Sequence, residues 1–170
     1  MTISMYAASA PRFAAMLRNL AAILDKAQTH AAEKKIDPAV LLSARLFPDM
    51  FPLVKQVQVA CDHAKAAMAR LAGVEVPRFE DTEQSFEELQ ARIAKTIDFV
   101  ESFAAAQIDG VEERSIAFKV AGQERRFAGM AYLLDSALPN FYFHLVTAYA
   151  ILRHNGVDLG KRDYIGKPGR

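Results

Sequence analysis

Apolar residues recur at helical spacing in four long stretches of this chain and at strand spacing in one short stretch. Phe13, Met16, Leu17, Leu20, Leu24 and Ala27 share a face, with Arg12, Arg18, Asp25 and Lys26 off it, so a first long helix is predicted from about Pro11 to Lys34. The residues before Pro11 read as a lead-in or an early helical turn, capped by Ser4 or Ser9. Ile36-Asp37-Pro38 breaks the pattern; Asp37 caps and Pro38 opens a short helix to about Ala44. Leu53, Val57, Ala60, Ala64, Met68 and Leu71 stripe a second long helix, from about Met50 to Ala72. Asp49 is its expected cap, Pro52 falls in its first turn and Gly73 stops it. An extended connection containing Pro77 leads to a third long helix, started by Asp81, Thr82 or Ser85 and running to about Ala105, where Ser85 and Glu88 fit a capping box.

Ser115 to Val120 alternates, and Gln123 to Phe127 returns after an Ala121-Gly122 turn, which predicts a hairpin. A lone hairpin is marginal in water, so it should pack on the helices. Met130 to Ala137 reads as a short helix leading into the last long one, Leu138 to Gly156, with Pro139 in its first turn and Gly156 at its end. The tail, residues 156–170, has no strong period and is expected to be coil, with Tyr164 and Ile165 tacked to the surface. Four long amphipathic helices with a short hairpin before the last predict an all-α four-helix bundle, a single domain over residues 1–170.

Composition narrows the partners. About half the residues are apolar (52%) and the net charge is +1, so no basic field argues for nucleic acid. No apolar run is long enough for a membrane span, and the N-terminus lacks the pattern of a secretory signal. A single cysteine, Cys61, forms no internal disulfide, and a cytoplasmic location is expected. Cys61 sits in a helical stripe with no activating base beside it and is read as buried and inert.

Of the four histidines, His30 and His154 lie near helix C-termini, where the helix dipole favours a cation, and read as surface residues. His63 and His144 sit mid-helix among apolar and small residues, and bundle cores are where metal sites are built from facing helices. Two segments, VACDHAKAAMARLAG and NFYFHLVTAYAILRHNGV, resemble the DinB-like (also YfiT-like) four-helix-bundle superfamily over nearly the whole chain. SMYAASAPRFAAMLRNLAAIL and FPDMFPLVKQVQVACDHAK resemble a bacterial branch of it whose function is unknown. The resemblance implies a divalent metal (zinc, nickel, iron or manganese) held by one histidine of the second long helix and an H-x-x-x-H pair of the last. Some relatives are metal-dependent thiol transferases. Carried over, His63 takes the first position, His144 the last, and Asn140 stands where the remaining histidine would be. A neutral amide is a poor ligand for such metals, so the site is expected to be weak or degenerate. Asp62 and Asp135 are the nearby carboxylates, and neither is indicated by spacing.

Two functions follow. One is a metal or polar site around His63, Asn140 and His144. The other is a non-catalytic protein that binds a small molecule between its helices or forms a homodimer through the aromatic face of Phe141, Tyr142, Phe143 and Tyr149. No phosphate loop, nucleophile elbow, paired-cysteine motif or H-E-x-x-H occurs, so no activity is named.

Overall fold

A computed structural model describes residues 3–166; the first two residues of the lead-in and residues 167–170 of the tail lie outside the described residues. The long helices are α2 (Ala10–Lys34), α4 (Leu53–Ala72), α5 (Phe86–Glu101) and α8 (Leu138–His154). Short pieces join them: α1 (Met5–Ala8), α3 (Pro38–Ser43), α6 (Ala105–Ile108), the hairpin β1 (Ser115–Val120) and β2 (Gln123–Ala128), α7 (Gly129–Ala131), and α9 (Lys161–Ile165). The bundle is all-α with one two-stranded antiparallel hairpin, as the apolar periods predict.

The helix starts follow their caps. Ser4 accepts from the Ala7 amide and starts α1. Ser9 then turns its hydroxyl onto the Met5 carbonyl at 2.7 Å and breaks the chain. Pro11 therefore falls in the first turn of a new helix and kinks nothing. Asp37 caps α3 and Ser85 caps α5. Three boundaries differ from the expected ones. Pro52 is itself extended (ψ 165°) and stands as the cap of α4, so Asp49 lies outside the helix. α5 stops at Ser102, and Ala105 belongs to a separate turn, α6. The tail is not wholly coil: α9 forms at Gly160, whose amide donates to Asp163, and Asp163 pairs with Lys26 of α2 at 2.7 Å. Tyr164 is held there by the Asn19 amide on its carbonyl and by Tyr149.

α4 packs between α8 and α5, and α2 closes the square against α5 and α8. Phe13 and Phe141 meet edge-to-face at 4.9 Å in the core between α2 and α8. Partners along each seam give the directions. Arg18 pairs with Glu101 while Gln90 reaches Ala21 and Asp25, so α2 and α5 are antiparallel. α4 and α5 run parallel: Gln58 meets Glu83 just before α5 starts, and Arg114, beyond α5, donates to the Leu71 carbonyl at the end of α4. Residues 74–85 must therefore carry the chain back along the bundle between two parallel helices.

The hairpin pairs Ser115 with Ala128 through Val120 with Gln123. Its turn puts both Ala121 (φ 49°) and Gly122 (φ 80°) in the left-handed region, the geometry that matches strand twist in two-residue hairpins. Gly129 follows, and a Cβ there would lie 2.1 Å from the Val111 carbonyl oxygen, so only glycine permits the approach. The expected short helix over 130–137 is instead one turn of α7 and a π-helical turn, Tyr132–Ala137, running straight into α8. Pro139 has no N–H to donate back to residue 135, and the Leu138 amide bonds Leu133, five residues back.

Candidate functional site

α4 carries Gln56, His63 and Arg70 at steps of seven, about two turns, so the three line one side of the helix. Opposite them run His144 of α8 and Tyr132 of the π turn. Gln56 meets His144 and Arg70 meets Tyr132, so α4 and α8 are antiparallel and a polar pair stands at each end of their seam.

The His63 and His144 rings lie 5.6 Å apart, nearly parallel at 14°. Both are half-buried. Burial pushes the His63 pKa down to about 4, with His144 adding to the drop, and burial lowers that of His144 as well. Both rings are thus neutral at pH 7. Gln56 decides which nitrogen of His144 carries the proton. Its amide nitrogen donates to the Phe51 carbonyl at 3.1 Å, which leaves its oxygen facing His144 Nδ1 at 2.8 Å. That oxygen accepts only, so Nδ1 must donate and Nε2 keeps a bare lone pair. A histidine whose second nitrogen is tied to an acceptor in this way is oriented as metal-binding histidines are. Gln56 is buried (1% exposed), so the orientation is built in.

The third expected donor is placed differently. Asn140 is exposed and its amide donates to the Ser136 carbonyl of the preceding turn at 2.7 Å. Asp135 is exposed, and Asp62 points to α5, where it binds Arg92 at 3.0 Å and Lys65 at 2.8 Å. Among the described residues no group of three His, Cys, Asp or Glu side chains is placed to hold a metal ion. The seam therefore offers two stacked imidazoles and, among the described residues, no third protein ligand.

A family model described as a domain of unknown function, DUF1993, matches residues 5–165. The chain belongs to the DUF1993 family. A crystal structure of a DinB family member protein from Shewanella denitrificans is 42% identical, covers 97% of this chain and 94% of its own, and superposes with a TM-score of 0.88. No curated protein matches. The DinB-like resemblance read from the motifs of α4 and α8 agrees with this match.

Cys61 is fully buried, and burial pushes its thiol up to about 12, so it stays protonated. The aromatic face divides: Phe141 is core, Tyr142 is half-buried, Tyr149 packs on Tyr164, and Phe143 is 55% exposed. Gln56, Arg70 and Tyr132 were not legible as site residues from apolar periodicity. The signal was the seven-residue polar line that Gln56 and Arg70 make with His63.

Proposed function

We propose that the α4–α8 seam is a small-molecule binding site built on two neutral imidazoles, and that a divalent metal there is held by His63 and His144 Nε2 and completed by the ligand rather than by the protein. The Gln56–His144 hydrogen bond carries this reading, because a buried amide fixes the tautomer that leaves Nε2 as an acceptor. A metal bound there supplies Lewis-acid polarisation of a ligand oxygen or a more acidic bound water. His144, held by Gln56, keeps Nε2 as its acceptor nitrogen. His63, without a hydrogen-bond partner among the described residues, is free to donate or accept. The test is elemental analysis of untagged protein beside zinc, nickel and manganese titrations followed by the ring 15N signals of both histidines. Weak, exchangeable binding lost in a His63→Ala/His144→Ala variant supports the reading. Ring signals that ignore every ion would reduce it to a metal-free polar seam.

A second reading is favoured by one observation. Phe143 and Val146 of α8 are 55% and 44% exposed beside this seam, and Phe51 is 50% exposed. A second copy of the chain would cover them, and most soluble oligomers are symmetric pairs of this kind. Light scattering of the wild type and a Phe143→Ser variant tests it; a monomer at high concentration rejects it.

A further inference from the structure

Arg70 is half-buried, and among the described residues no carboxylate lies within 4.0 Å of it. The two buried cations on the other side of α4, Lys65 and Arg92, are both ion-paired. A partly desolvated charge without a partner is unusual, since burying charge is costly unless it is paired.

The surroundings of Arg70 are built. Its guanidinium lies 3.9 Å from the centre of the Phe118 ring and 5.7 Å from that of Tyr132. Phe127 backs Phe118 at 6.0 Å. One N–H donates to the Tyr132 hydroxyl at 3.0 Å, and this is the sole hydrogen bond of either side chain among the described residues. Guanidinium has five N–H donors and no acceptor, so four remain. Tyr132 accepts from Arg70, which leaves its own O–H proton to give. The hairpin end of the seam therefore presents several donors and a fixed positive charge with no acceptor opposite. Between Arg70 and His63 the α4 face carries Ala66 and Ala67, both buried by their neighbours. The two positions are about 10 Å apart along the helix axis.

We propose that Arg70 and the Tyr132 hydroxyl form an oxyanion subsite that holds the carboxylate of a small organic acid. The planar fork of Arg70 suits a carboxylate, and the aromatic rings hold the fork in one orientation. The subsite specifies the ligand class for the seam and so rests on the seam being a ligand site.

The test follows the Arg70 Nε–Hε and His63 ring signals by NMR during titration of the full chain with acetate, succinate and inorganic phosphate at matched ionic strength. Acetate and succinate are each expected to shift Arg70, with His63 as the internal reference. Phosphate is expected to bind more weakly than succinate; tighter phosphate binding overturns the carboxylate assignment. Arg70→Gln should weaken succinate at least about tenfold. Tyr132→Phe should weaken it less, and Arg70→Lys should keep part of the acetate response. Thermal melts of each variant separate loss of the subsite from loss of the hairpin. An Arg70 signal unmoved by any of the three anions at tens of millimolar overturns the proposal, as does unchanged succinate binding in a folded Arg70→Gln protein. If an acid moves Arg70 and no metal ion moves either imidazole, the subsite stands and the two-imidazole reading fails. If metal moves the imidazoles and no anion moves Arg70, the reverse holds.

Discussion

Replacing Arg92 by methionine tests how the return strand, residues 74–85, is tied to the bundle. Arg92 is 2% exposed at its side chain and binds Asp62 at 3.0 Å, Asp81 at 3.0 Å, Glu83 at 3.1 Å and the Glu80 carbonyl at 3.0 Å. Three of those four partners lie in the return strand. Breaking a buried ion pair from one side costs about 3–5 kcal/mol, because a charge is left without compensation. Here compensation is partial. Asp62 keeps Lys65, and Asp81 keeps Lys55. Glu83, only 11% exposed, keeps nothing but the Gln58 amide. One carboxylate is stranded rather than three, so the expected loss is near the low end, about 3 kcal/mol. For a chain of 170 residues that is a fall in Tm of about 6–12 °C. Urea unfolding of Arg92→Met and of Arg92→Met/Glu83→Gln measures it. The double variant should recover at least half of the loss, since it neutralises the stranded charge. A loss under about 1 kcal/mol, or no recovery in the double variant, would refute the reasoning.

Three further outcomes are expected. The folded pKa of His63 is about 4 against 6.5 unfolded, so its contribution is complete above pH 6.5 and disappears as pH falls toward 4, by at most about 3 kcal/mol; His63→Gln should flatten that part of a Tm–pH curve, and an unchanged slope would show the ring is solvated. Asn140→His places a third imidazole one turn before His144, so zinc should bind at least about tenfold more tightly and raise Tm by roughly 5–10 °C at a hundredfold excess over Kd; calorimetry that shows no gain would mean position 140 does not face His63. Gly129→Ala drives a methyl into the Val111 carbonyl, 2.1 Å away, and should cost about 2 kcal/mol or more by thermal melt, with a neutral result showing that the backbones are not in contact.

Much of the fold was legible because helix stripes, caps and turn glycines are local signals. Ser85, Asp37 and the Ala121-Gly122 turn each act where their chemistry puts them. The path of residues 74–85 was not, since its direction depends on Arg92, a residue whose charge reads as solvent-facing until its partners are in place. His63 and His144 were singled out as mid-helix histidines, and the resemblance gave them roles. Gln56, Arg70 and Tyr132 escaped for different reasons. Glutamine and arginine in an amphipathic helix look like its wet face, and here Gln56 is buried and Arg70 half-buried at a seam between two helices. Tyr132 reaches Arg70 only through the π turn, which no apolar period announces.

That turn also sets a phase relation. In an α-helix each residue advances the azimuth by about 100°. The π turn holds one residue more than an α turn would, so everything before it is rotated by that step relative to α8. Deleting a single residue between Tyr132 and Ala137 would restore a plain helix. Tyr132 and the whole hairpin would then swing about the α8 axis while His144 stayed where it is. Arg70 would lose its aromatic box and the imidazoles would not move. A one-residue insertion or deletion at this point thus acts as a gear between the two ends of the seam, changing what lies opposite Arg70 without touching a single residue on α4.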